Sequence, residues 1–482
     1  MLVLTDKDNL LQFIRIQQRD INNKISKKKF KKLHHRKKYY KIIERVNSFL
    51  EQEEYNKRFI AMPGLRGVGK STIIYQIYDY LINNQNIDNN NILYLDVDEL
   101  TSNYNTRIQD VFDIYIEYYQ NTIPTALEEK IFLLIDETHY DKNWARFAKT
   151  LFDKTPNIFM IFTGSSALEL ESNTDAVRRM KIERIYPMNF REYLLLNYNI
   201  KIEKFDIEKL LFYCDDENLK NAIMIEKGFH NNLLKINNDP YLELKQYIKT
   251  HSFPFALNQD INDTYDDINE VIRRIIKEDL ELFKKHANVS SQTISQIVTY
   301  LATKKSGKTK NSTIAQSTEI SSNTVKDILQ TLELTQLIFS LNAYGPGGKI
   351  LKSSKEHFFI TSNIKAAINY SVKRYDLEND KCYSLLVENM VTSNIYYLIN
   401  KTSDSMGLFY DSEKKGVDLL IKYSNQVIPV EIGIGNKTKS QLTRALNKYN
   451  SPYGILVSNR TSNIKYKNNI LYIPLLTFAL LI

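Results

Sequence analysis

The stretch Gly64–Ser71, which reads GLRGVGKS, decides the fold of the first part of this chain. It matches the phosphate-binding loop G-x-x-x-x-G-K-[ST]. An apolar run, Phe59–Met62, precedes it, and an apolar stripe at helical spacing begins after it at Ile73. Strand, glycine-rich turn and helix are the context that this loop requires. Because only 14 of the 482 residues are glycine and three of them fall in this loop, composition alone does not explain the match.

The chemistry of each loop residue suits a nucleotide. Glycines let backbone N–H groups turn inward around phosphate oxygens, and the N-terminus of the next helix adds partial positive charge. The Lys70 ammonium can reach the β- and γ-phosphates, and the Ser71 hydroxyl can ligate Mg²⁺. We therefore predict a site for ATP and Mg²⁺. Its predicted nucleotide-binding residues are Gly64, Gly67, Val68, Gly69, Lys70, Ser71 and Thr72.

Two acidic residues end a second apolar run, Ile131–Ile135. This run predicts a central parallel strand with Asp136 and Glu137 at its carboxyl end, where ligands of open α/β sheets lie. We expect Asp136 to hold Mg²⁺ through water and Glu137 to polarise the attacking water as a base.

A third apolar run, Ile158–Phe162, ends in the polar segment Thr163–Ser166, which reads TGSS. A polar residue at this strand end can sense the γ-phosphate or orient the attacking water. We expect this role for Ser165, with Thr163 as the second choice. An ordinary strand-end turn is the alternative interpretation.

Composition excludes several classes of protein. A chain with 43% hydrophobic residues is long enough for about three domains. Cys214 and Cys382 have no metal-binding spacing and form no disulfide framework, which fits a reducing compartment. The N-terminus shows no signal-peptide pattern, and the apolar run Leu471–Ile482 is too short to cross a bilayer. We therefore expect a cytoplasmic protein without a membrane span.

Positive charge is concentrated near the N-terminus, in a predicted helical arm over residues 1–55. Ten basic residues, with no acidic residue among them, are Lys24, Lys27, Lys28, Lys29, Lys31, Lys32, Arg36, Lys37, Lys38 and Lys41. They account for more than the whole net charge of +9, so the rest of the chain is close to neutral. Interleaved aromatic residues such as Tyr39 and Tyr40 make this run suited to gripping a nucleic-acid backbone. A solvated helix face and an acidic lipid surface are the alternatives.

With these motifs the chain resembles the prokaryotic AAA-type ATPases in which a P-loop domain precedes a winged helix and a PD-(D/E)XK nuclease-like domain. Residues 56–200 carry the resemblance. The family's acid pair is followed by a tryptophan, here Trp144, and its TGSS strand end is present. Pro187–Glu192, which reads PMNFRE, stands where the family has PLSF-x-E.

An arginine of the family also has a counterpart here. The family's Gly-Arg pair reads Arg178-Arg179 in this chain, so Arg179 matches the family arginine. The resemblance implies that Arg179 stabilises charge on the γ-phosphate, in cis or from a neighbouring subunit. A surface salt bridge is the alternative.

The resemblance also implies the architecture downstream, which is α/β overall. A helical linker is expected over residues 201–288 and a winged helix-turn-helix over 289–358. In the latter, apolar spacing predicts three helices, and Gly345–Gly348 reads as a wing turn. The third helix would expose Asn323 and Lys326 to a DNA groove. Protein contact is the alternative use of this fold.

Residues 359–482 are expected to form the nuclease-like domain, whose metal site is incomplete. Asp418 and Glu431 match the two carboxylates that would hold a divalent ion, but Gly433 stands in the position of the family lysine. Lys437 and Lys439 are the candidates for a replacement cation. We therefore expect weak metal binding and little or no cleavage.

The function expected from these features is ATP hydrolysis that controls nucleic-acid binding or processing, with DNA favoured over RNA. The family analogy points to genome defence or mobile-element biology. The alternative is a nucleotide-dependent switch that recruits a protein partner, with the nuclease-like domain as an inert scaffold. Whether the chain forms a homo-oligomer is left open.

Overall fold

The structure is a computed structural model, and it describes residues 6–52, 57–165, 179–203, 205–236, 238–279, 289–304, 307–373, 379–402, 406–434 and 440–482. The chain divides into two compact units, Met1–Tyr186 and Pro187–Ile482. Across the described residues, no helix is both long and apolar enough to span a bilayer.

The first unit alternates helices and strands after an N-terminal helical segment. Its helices are α1 (Asp6–Ser26), α2 (Lys28–Lys31), α3 (Lys37–Leu50), α4 (Lys70–Asn83), α5 (Val97–Tyr104), α6 (Ile108–Tyr115) and α7 (Trp144–Lys154). Its strands are β1 (Phe59–Pro63), β2 (Ile92–Asp96), β3 (Ile131–Asp136), β4 (Ile158–Gly164) and β5 (Lys181–Ile182).

The five strands form a parallel sheet in the order β2-β3-β4-β1-β5. Every residue of β1, β3 and β4 is buried, because helices cover both faces and the strands are apolar on both sides. β4 lies between the strand that leads into the glycine-rich loop and the strand that carries the acid pair. The carboxyl ends of these three strands therefore lie side by side, and the predicted α/β parallel sheet is confirmed.

The N-terminal segment, which the sequence presents as a basic arm, is built into this unit. Phe13 and Ile14 of α1 are buried in the same core as the sheet residues Leu93 and Leu133. Trp144, at the start of α7, is fully buried in that core and packs against Phe162. The arm is thus anchored by apolar burial, while its lysines lie on the outer side.

The second unit begins with helices and ends with a mixed sheet. Its helices are α8 (Phe190–Tyr198), α9 (Ile207–Phe212), α10 (Asp216–Leu233), α11 (Pro240–Lys249), α12 (Ile261–Arg274), α13 (Ser291–Thr303), α14 (Asn311–Thr318), α15 (Ser322–Leu334), α16 (Gly347–Lys352), α17 (Ser362–Ser371), α18 (Asp380–Thr402), α19 (Ser440–Tyr449) and α20 (Leu475–Leu481). Its strands are β6 (Ile338–Ala343), β7 (Glu356–Phe359), β8 (Met406–Tyr410), β9 (Leu419–Tyr423), β10 (Gln426–Gly433), β11 (Gly454–Ser458), β12 (Lys465–Lys467) and β13 (Ile470–Pro474).

These eight strands form one sheet in the order β12-β13-β11-β10-β9-β8-β6-β7. The segment predicted as a winged helix contributes α13, α14, α15 and the antiparallel pair β6–β7. β6 also pairs in parallel with β8, through Asn342 and Phe409. One continuous sheet therefore runs across the predicted boundary between residues 358 and 359.

Candidate nucleotide-binding site

The glycine-rich loop has a backbone that only glycine adopts without strain. Gly67 and Gly69 have φ angles of 80° and 92°, in the left-handed region that L side chains rarely occupy. Gly64 is needed for a different reason, because a Cβ atom there would collide with the carbonyl oxygen of Ile185. The close approach of residue 185 fixes the start of the loop against the chain that follows β5.

Lys70 begins α4 and is folded back over its own loop. Its Nζ donates hydrogen bonds to the carbonyl oxygens of Gly64 and Leu65 at 3.0 and 3.2 Å. The side chain is only 3% exposed, although it carries a charge. Two neutral carbonyls are modest partners for a buried ammonium, and phosphate oxygens in the same loop would be stronger ones.

Asp136 is buried at the end of β3, where it contacts hydroxyl groups. Thr163 Oγ1 donates to its Oδ1, and the backbone N–H of Glu137 lies 3.2 Å from both of these oxygens. Burial raises the pKa of Asp136, and the neighbouring Glu137 charge acts in the same direction. Hydrogen bonds from Ser71 and Thr163 oppose this shift, as does the charge of Lys70.

This arrangement suits Mg²⁺. The Ser71 hydroxyl and the Asp136 carboxylate are close enough to hydrogen bond, and hard oxygen ligands of this kind are those that Mg²⁺ takes in phosphate sites. A cation beside Asp136 would also counter the penalty that burial places on its charged form. The two residues predicted as metal ligands in this domain are therefore brought together.

Glu137 lies between two nitrogen atoms. Its Oε1 is 4.0 Å from Lys70 Nζ, and its Oε2 is 3.3 Å from His139 Nδ1. Its φ angle is 50°, a left-handed conformation that is uncommon for a residue with a side chain. Sparsely populated backbone conformations of this kind cluster at functional sites.

The two candidate polar residues at the end of β4, Ser165 and Thr163, have different contacts in the structure. Thr163 contacts the metal-site acid directly, through Asp136 Oδ1. Ser165 is buried and its backbone N–H donates to His139 Nδ1 at 3.4 Å, while its hydroxyl has no partner among the described residues. Ser166 lies outside the described residues. The γ-phosphate role of Ser165 stays a prediction.

Arg36 is a site residue that sequence reasoning missed. It is buried, its Nη1 donates to the carbonyl oxygen of Val68 at 2.7 Å, and its Nη2 donates to that of Tyr186 at 2.9 Å. The sequence presented it as one of ten similar cations. Its being the only arginine in that run was the one available signal.

Other members of the basic run are also paired within the first unit. Lys38 and Lys41, together with Arg45, contact the buried carboxylate of Glu183 at 2.8–2.9 Å. Burial acts to raise the pKa of Glu183, but hydrogen bonds from Lys41 and Lys38 outweigh it and the pKa is lowered. Lys24 is exposed and donates a hydrogen bond to the Tyr75 hydroxyl at 3.1 Å. Six further exposed lysines of the run, which we call the arm lysines, are Lys27, Lys28, Lys29, Lys31, Lys32 and Lys37.

Arg179 pairs with Asp153 of α7 in this structure. Its Nε lies 2.9 Å from Oδ1 and its Nη2 3.3 Å from Oδ2, and both side chains are partly exposed. Arg178 lies outside the described residues. A role for Arg179 at the γ-phosphate stays a prediction, for which the contact with Asp153 would have to open.

The two C-terminal carboxylates occupy neighbouring strand positions. Asp418 precedes β9 and Glu431 lies in β10, and the antiparallel pair Val430–Leu419 sets them side by side. Asp418 Oδ2 accepts a hydrogen bond from the backbone of Ile432 at 2.7 Å. Within the described ranges, no cluster of three or more His, Cys, Asp or Glu side chains is placed to hold a metal. Lys437 and Lys439 are not among the described residues.

A buried charge cluster near this sheet was not anticipated. Glu356 of β7, Lys365 of α17 and Lys304 line a small polar cavity. Burial raises the pKa of Glu356 to about 7, and burial lowers the pKa of Lys365. The charge of Glu388 acts in the opposite direction and raises the pKa of Lys365.

Comparison with known proteins agrees with the site in the first unit. Residues 56–194 match a family described as an AAA domain. Residues 242–371 and 384–478 match two families described as domains of unknown function, DUF8612 and DUF4143. The fold and the loop geometry therefore define an AAA-type P-loop ATPase in the first unit.

One relative matches most of this chain. The chain is 33% identical over 440 residues to an uncharacterized protein, MJ1637, of Methanocaldococcus jannaschii, which covers 91% of this chain and 88% of that protein. An uncharacterized protein of Haemophilus influenzae is 25% identical over 305 residues, 63% of this chain and 67% of that protein. This chain belongs to the family of the Methanocaldococcus protein.

Among solved structures, the similar ones include ORC1 of Aeropyrum pernix in complex with DNA. It has 10% identity, covers 70% of this chain and 93% of that chain, and has a TM-score of 0.31. AMPPCP-bound DnaA from Aquifex aeolicus has 12% identity, covers 62% of this chain and 87% of that chain, and has a TM-score of 0.25. Likenesses at these TM-scores carry no argument for function.

Proposed function

We propose that this protein hydrolyses ATP and that its nucleotide state controls the binding or processing of nucleic acid, with DNA favoured over RNA. The observation that carries the proposal is the meeting of Lys70, Ser71, Asp136 and Glu137 at one edge of the parallel sheet. Each of these residues has the chemistry that phosphoryl transfer to water requires.

The proposed chemistry follows from the contacts of these side chains. Phosphate oxygens replace the carbonyl oxygens of Gly64 and Leu65 as acceptors of the Lys70 ammonium. Ser71 and Asp136 would hold Mg²⁺, which would neutralise charge on the phosphates. Glu137 accepts a proton from the attacking water. The Lys70 ammonium, whose Nζ lies 4.0 Å from Glu137 Oε1, attracts the carboxylate toward the phosphate edge of the sheet.

The N-terminal segment supports the link to nucleic acid. The arm lysines are exposed, and exposed lysines bind a phosphate backbone by releasing its counterions. Arg36 lies in the same segment and holds the carbonyl oxygen of Val68 in the nucleotide loop. The contact of Arg36 with Val68 therefore connects the segment that carries the arm lysines to the loop that would bind the nucleotide.

The second unit supplies the other proposed nucleic-acid surface, a winged helix over residues 289–358. Ser321 caps α15 by accepting a hydrogen bond from the backbone of Thr324 at 3.0 Å. Val325 and Ile328 face inward, while Asn323 and Lys326 on the same helix are exposed. This is the division of faces that a recognition helix needs. We propose that residues 359–482 serve it as a scaffold with little or no nuclease activity.

The alternative function is a nucleotide-dependent switch that recruits a protein partner. The observation in its favour is a set of exposed apolar side chains between residues 213 and 242 of the second unit. Its members are Tyr213, Met224, Leu234, Tyr241 and Leu242. Salt-sensitive affinity for unrelated nucleic-acid sequences favours the leading proposal, and its absence favours the switch.

The experiment that tests the proposal is ATP turnover with and without DNA. The wild-type protein is expected to hydrolyse ATP, and DNA is expected to change the rate. Lys70→Ala is expected to weaken ATP binding, because one phosphate-directed charge is lost. Glu137→Gln is expected to bind ATP but to hydrolyse it about 100-fold more slowly, because the base is removed while the shape is kept.

Two results would contradict the proposal. Turnover by Glu137→Gln at the wild-type rate would remove Glu137 from the mechanism. A wild-type rate that is the same with DNA, with RNA and without either would separate hydrolysis from nucleic acid and favour the switch. Arg19→Ala, an exposed charge change on α1, is the control for a general effect of substitution.

A further inference from the structure

Arg66 lies in the nucleotide loop, four residues before Lys70, and its guanidinium reaches the segment that carries the acid pair. Its Nη2 donates a hydrogen bond to the Tyr140 hydroxyl at 3.0 Å. The backbone N–H of Tyr140 in turn donates to the carbonyl oxygen of Glu137 at 3.2 Å. A charged side chain of the loop is therefore connected to the turn that follows the proposed base.

The position of Lys70 indicates where the terminal phosphate of a bound nucleotide would lie. Lys70 Nζ is 3.2 Å from the carbonyl oxygen of Leu65, the residue before Arg66, and 4.0 Å from Glu137 Oε1. A phosphate oxygen that replaces the Leu65 carbonyl as acceptor would therefore lie beside the start of the Arg66 residue. The Arg66 side chain extends from there to Tyr140, three residues beyond Glu137.

The charges of Arg66 and Lys70 act on one buried side chain beneath this position. The His139 side chain is completely buried, and its ring packs on that of Tyr140 at 4.5 Å between centroids. Burial is the main cause that lowers the pKa of His139 to about 3, and the charges of Arg66 and Lys70 lower it further. The positive charge of both side chains is therefore present on the side of the loop where β3 ends.

Phosphate would be a stronger partner for Arg66 than the one it has here. The Tyr140 hydroxyl is a neutral acceptor, whereas a guanidinium binds phosphate through charge-assisted hydrogen bonds that are about twice as strong. Arg66 is partly exposed, so its side chain is able to change partner. Arg179, which the family resemblance places at the γ-phosphate, pairs instead with Asp153.

We propose that Arg66 is a catalytic residue that binds the γ-phosphate of ATP from within the same loop and stabilises the charge that develops during transfer to water. The inference rests on the proposed ATP hydrolysis at this site. The water oxygen forms a bond to the γ-phosphorus while the bond to the β-phosphate oxygen breaks, and a proton of the water passes to Glu137. Arg66 donates hydrogen bonds to γ-phosphate oxygens and exchanges no proton, and the Tyr140 hydroxyl is its partner before the nucleotide binds.

The test compares Arg66→Ala with Arg146→Ala, which removes the same charge from an exposed position on α7. Arg66→Ala is expected to lower kcat about 100-fold, because a charge that stabilises the transition state is lost. Its Kd for ADP, which has no γ-phosphate, is expected to stay within about twofold of wild type. Arg146→Ala is expected to match the wild-type protein in both measurements.

A second measurement uses a complex of ADP with aluminium fluoride, which mimics the phosphoryl group during transfer. The wild-type protein is expected to bind this complex about 100-fold more tightly than ADP alone, because the site is complementary to the transition state. Arg66→Ala is expected to lose this difference, and Arg66→Lys is expected to recover part of it, since a lysine keeps the charge without the planar fork.

A purely structural role for Arg66 predicts different results. If Arg66 only shaped the loop, Arg66→Ala would weaken ADP binding together with kcat. Tyr140→Phe, which removes the hydrogen bond and keeps the ring, would then cause the same loss, whereas the inference predicts a kcat within about threefold of wild type for this variant. Either the shared loss or a wild-type kcat in Arg66→Ala would overturn the inference. If Arg66→Ala does not fold, as judged by Trp144 fluorescence, Arg66→Gln takes its place.

The inference and the function on which it rests fail separately. If turnover is abolished by Glu137→Gln but unchanged by Arg66→Ala, ATP hydrolysis at this site is correct and the role of Arg66 is wrong. If Glu137→Gln hydrolyses ATP at the wild-type rate, the role of the base is wrong, and binding of the aluminium fluoride complex still tests Arg66. Loss of that binding in Arg179→Ala but not in Arg66→Ala would assign the charge to Arg179 and overturn the inference.

Discussion

At the scale of single residues, the site contains buried charged side chains that have few partners of opposite charge. Lys70 donates to two neutral carbonyls, and Asp136 is buried beside the charge of Glu137. Both arrangements are costly in isolation and become favourable when phosphate and a cation arrive. Nucleotide binding is therefore expected to raise the free energy of unfolding of the first unit.

The buried Glu356 gives a prediction for the second unit. Because burial raises its pKa from 4.5 to about 7, the folded chain keeps this proton when the unfolded chain has lost it. Stability from this group is fully present below about pH 4.5 and is lost as the pH rises through about 7. The unfolding free energy of the wild-type protein is therefore expected to fall by up to about 3 kcal/mol across that window, and the Glu356→Gln variant is expected not to show this fall.

The measurement is urea unfolding at pH 5 and pH 8, followed by circular dichroism, since the single tryptophan, Trp144, lies in the first unit. Glu129→Gln, at an exposed position, is the control and is expected to follow the wild-type pH dependence. A wild-type protein and a Glu356→Gln variant with parallel pH profiles would show that Glu356 does not titrate in this range.

At the scale of elements, hydrogen bonds from Arg36 join the N-terminal segment to the nucleotide loop. The contact from Arg36 to Val68 joins residues 32 positions apart, and the contact to Tyr186 joins residues 150 positions apart. Arg36→Ala is expected to weaken ATP binding about 10- to 100-fold, because two charge-assisted hydrogen bonds to backbone carbonyls are lost.

The matched control for this prediction is Arg19→Ala, which removes the same charge from an exposed position on the same N-terminal segment. The measurement is the Kd for ATP by isothermal titration, with the unfolding temperature from Trp144 fluorescence as a check on folding. Equal affinity in the two variants would show that the loop holds its shape without Arg36.

The arm lysines give a second prediction at this scale. Replacing all six by Gln is expected to weaken binding of unrelated DNA sequences by similar factors and to flatten the dependence of log Kd on log salt, because backbone contacts release counterions without reading bases. Lys31→Gln with Lys32→Gln is compared with Lys414→Gln with Lys415→Gln, an equal change at exposed positions of the second unit. An unchanged salt slope in the six-lysine variant would assign the arm lysines to a solvated surface.

Sequence patterns predicted the elements of the site far better than its long-range contacts. The loop, the acid pair and the strand end were found because each is a short motif joined to an apolar run. Arg36 and Glu183 were missed, because their roles come from partners brought together only by the fold. Arg179 shows the same limit, since its pairing with Asp153 left no local pattern.

At the scale of the whole molecule, the sequence pattern predicts the sheet of the first unit better than the sheet of the second unit. The parallel sheet of the first unit follows from apolar runs that are buried on both faces. The second unit combines α13–α15 and the β6–β7 pair with a sheet that continues to β12, and this continuity was not evident from the sequence. Its winged-helix and nuclease-like interpretations stay predictions.

The central claim is that nucleotide state controls nucleic-acid binding, and one measurement tests it most directly. It is the Kd of the Glu137→Gln protein for a fluorescent DNA duplex, without nucleotide, with ADP and with ATP, at fixed salt. The account predicts that ATP changes this Kd by at least about tenfold relative to the nucleotide-free protein, a coupling of about 1.4 kcal/mol. The same Kd in all three states, with ATP shown to be bound, would contradict it.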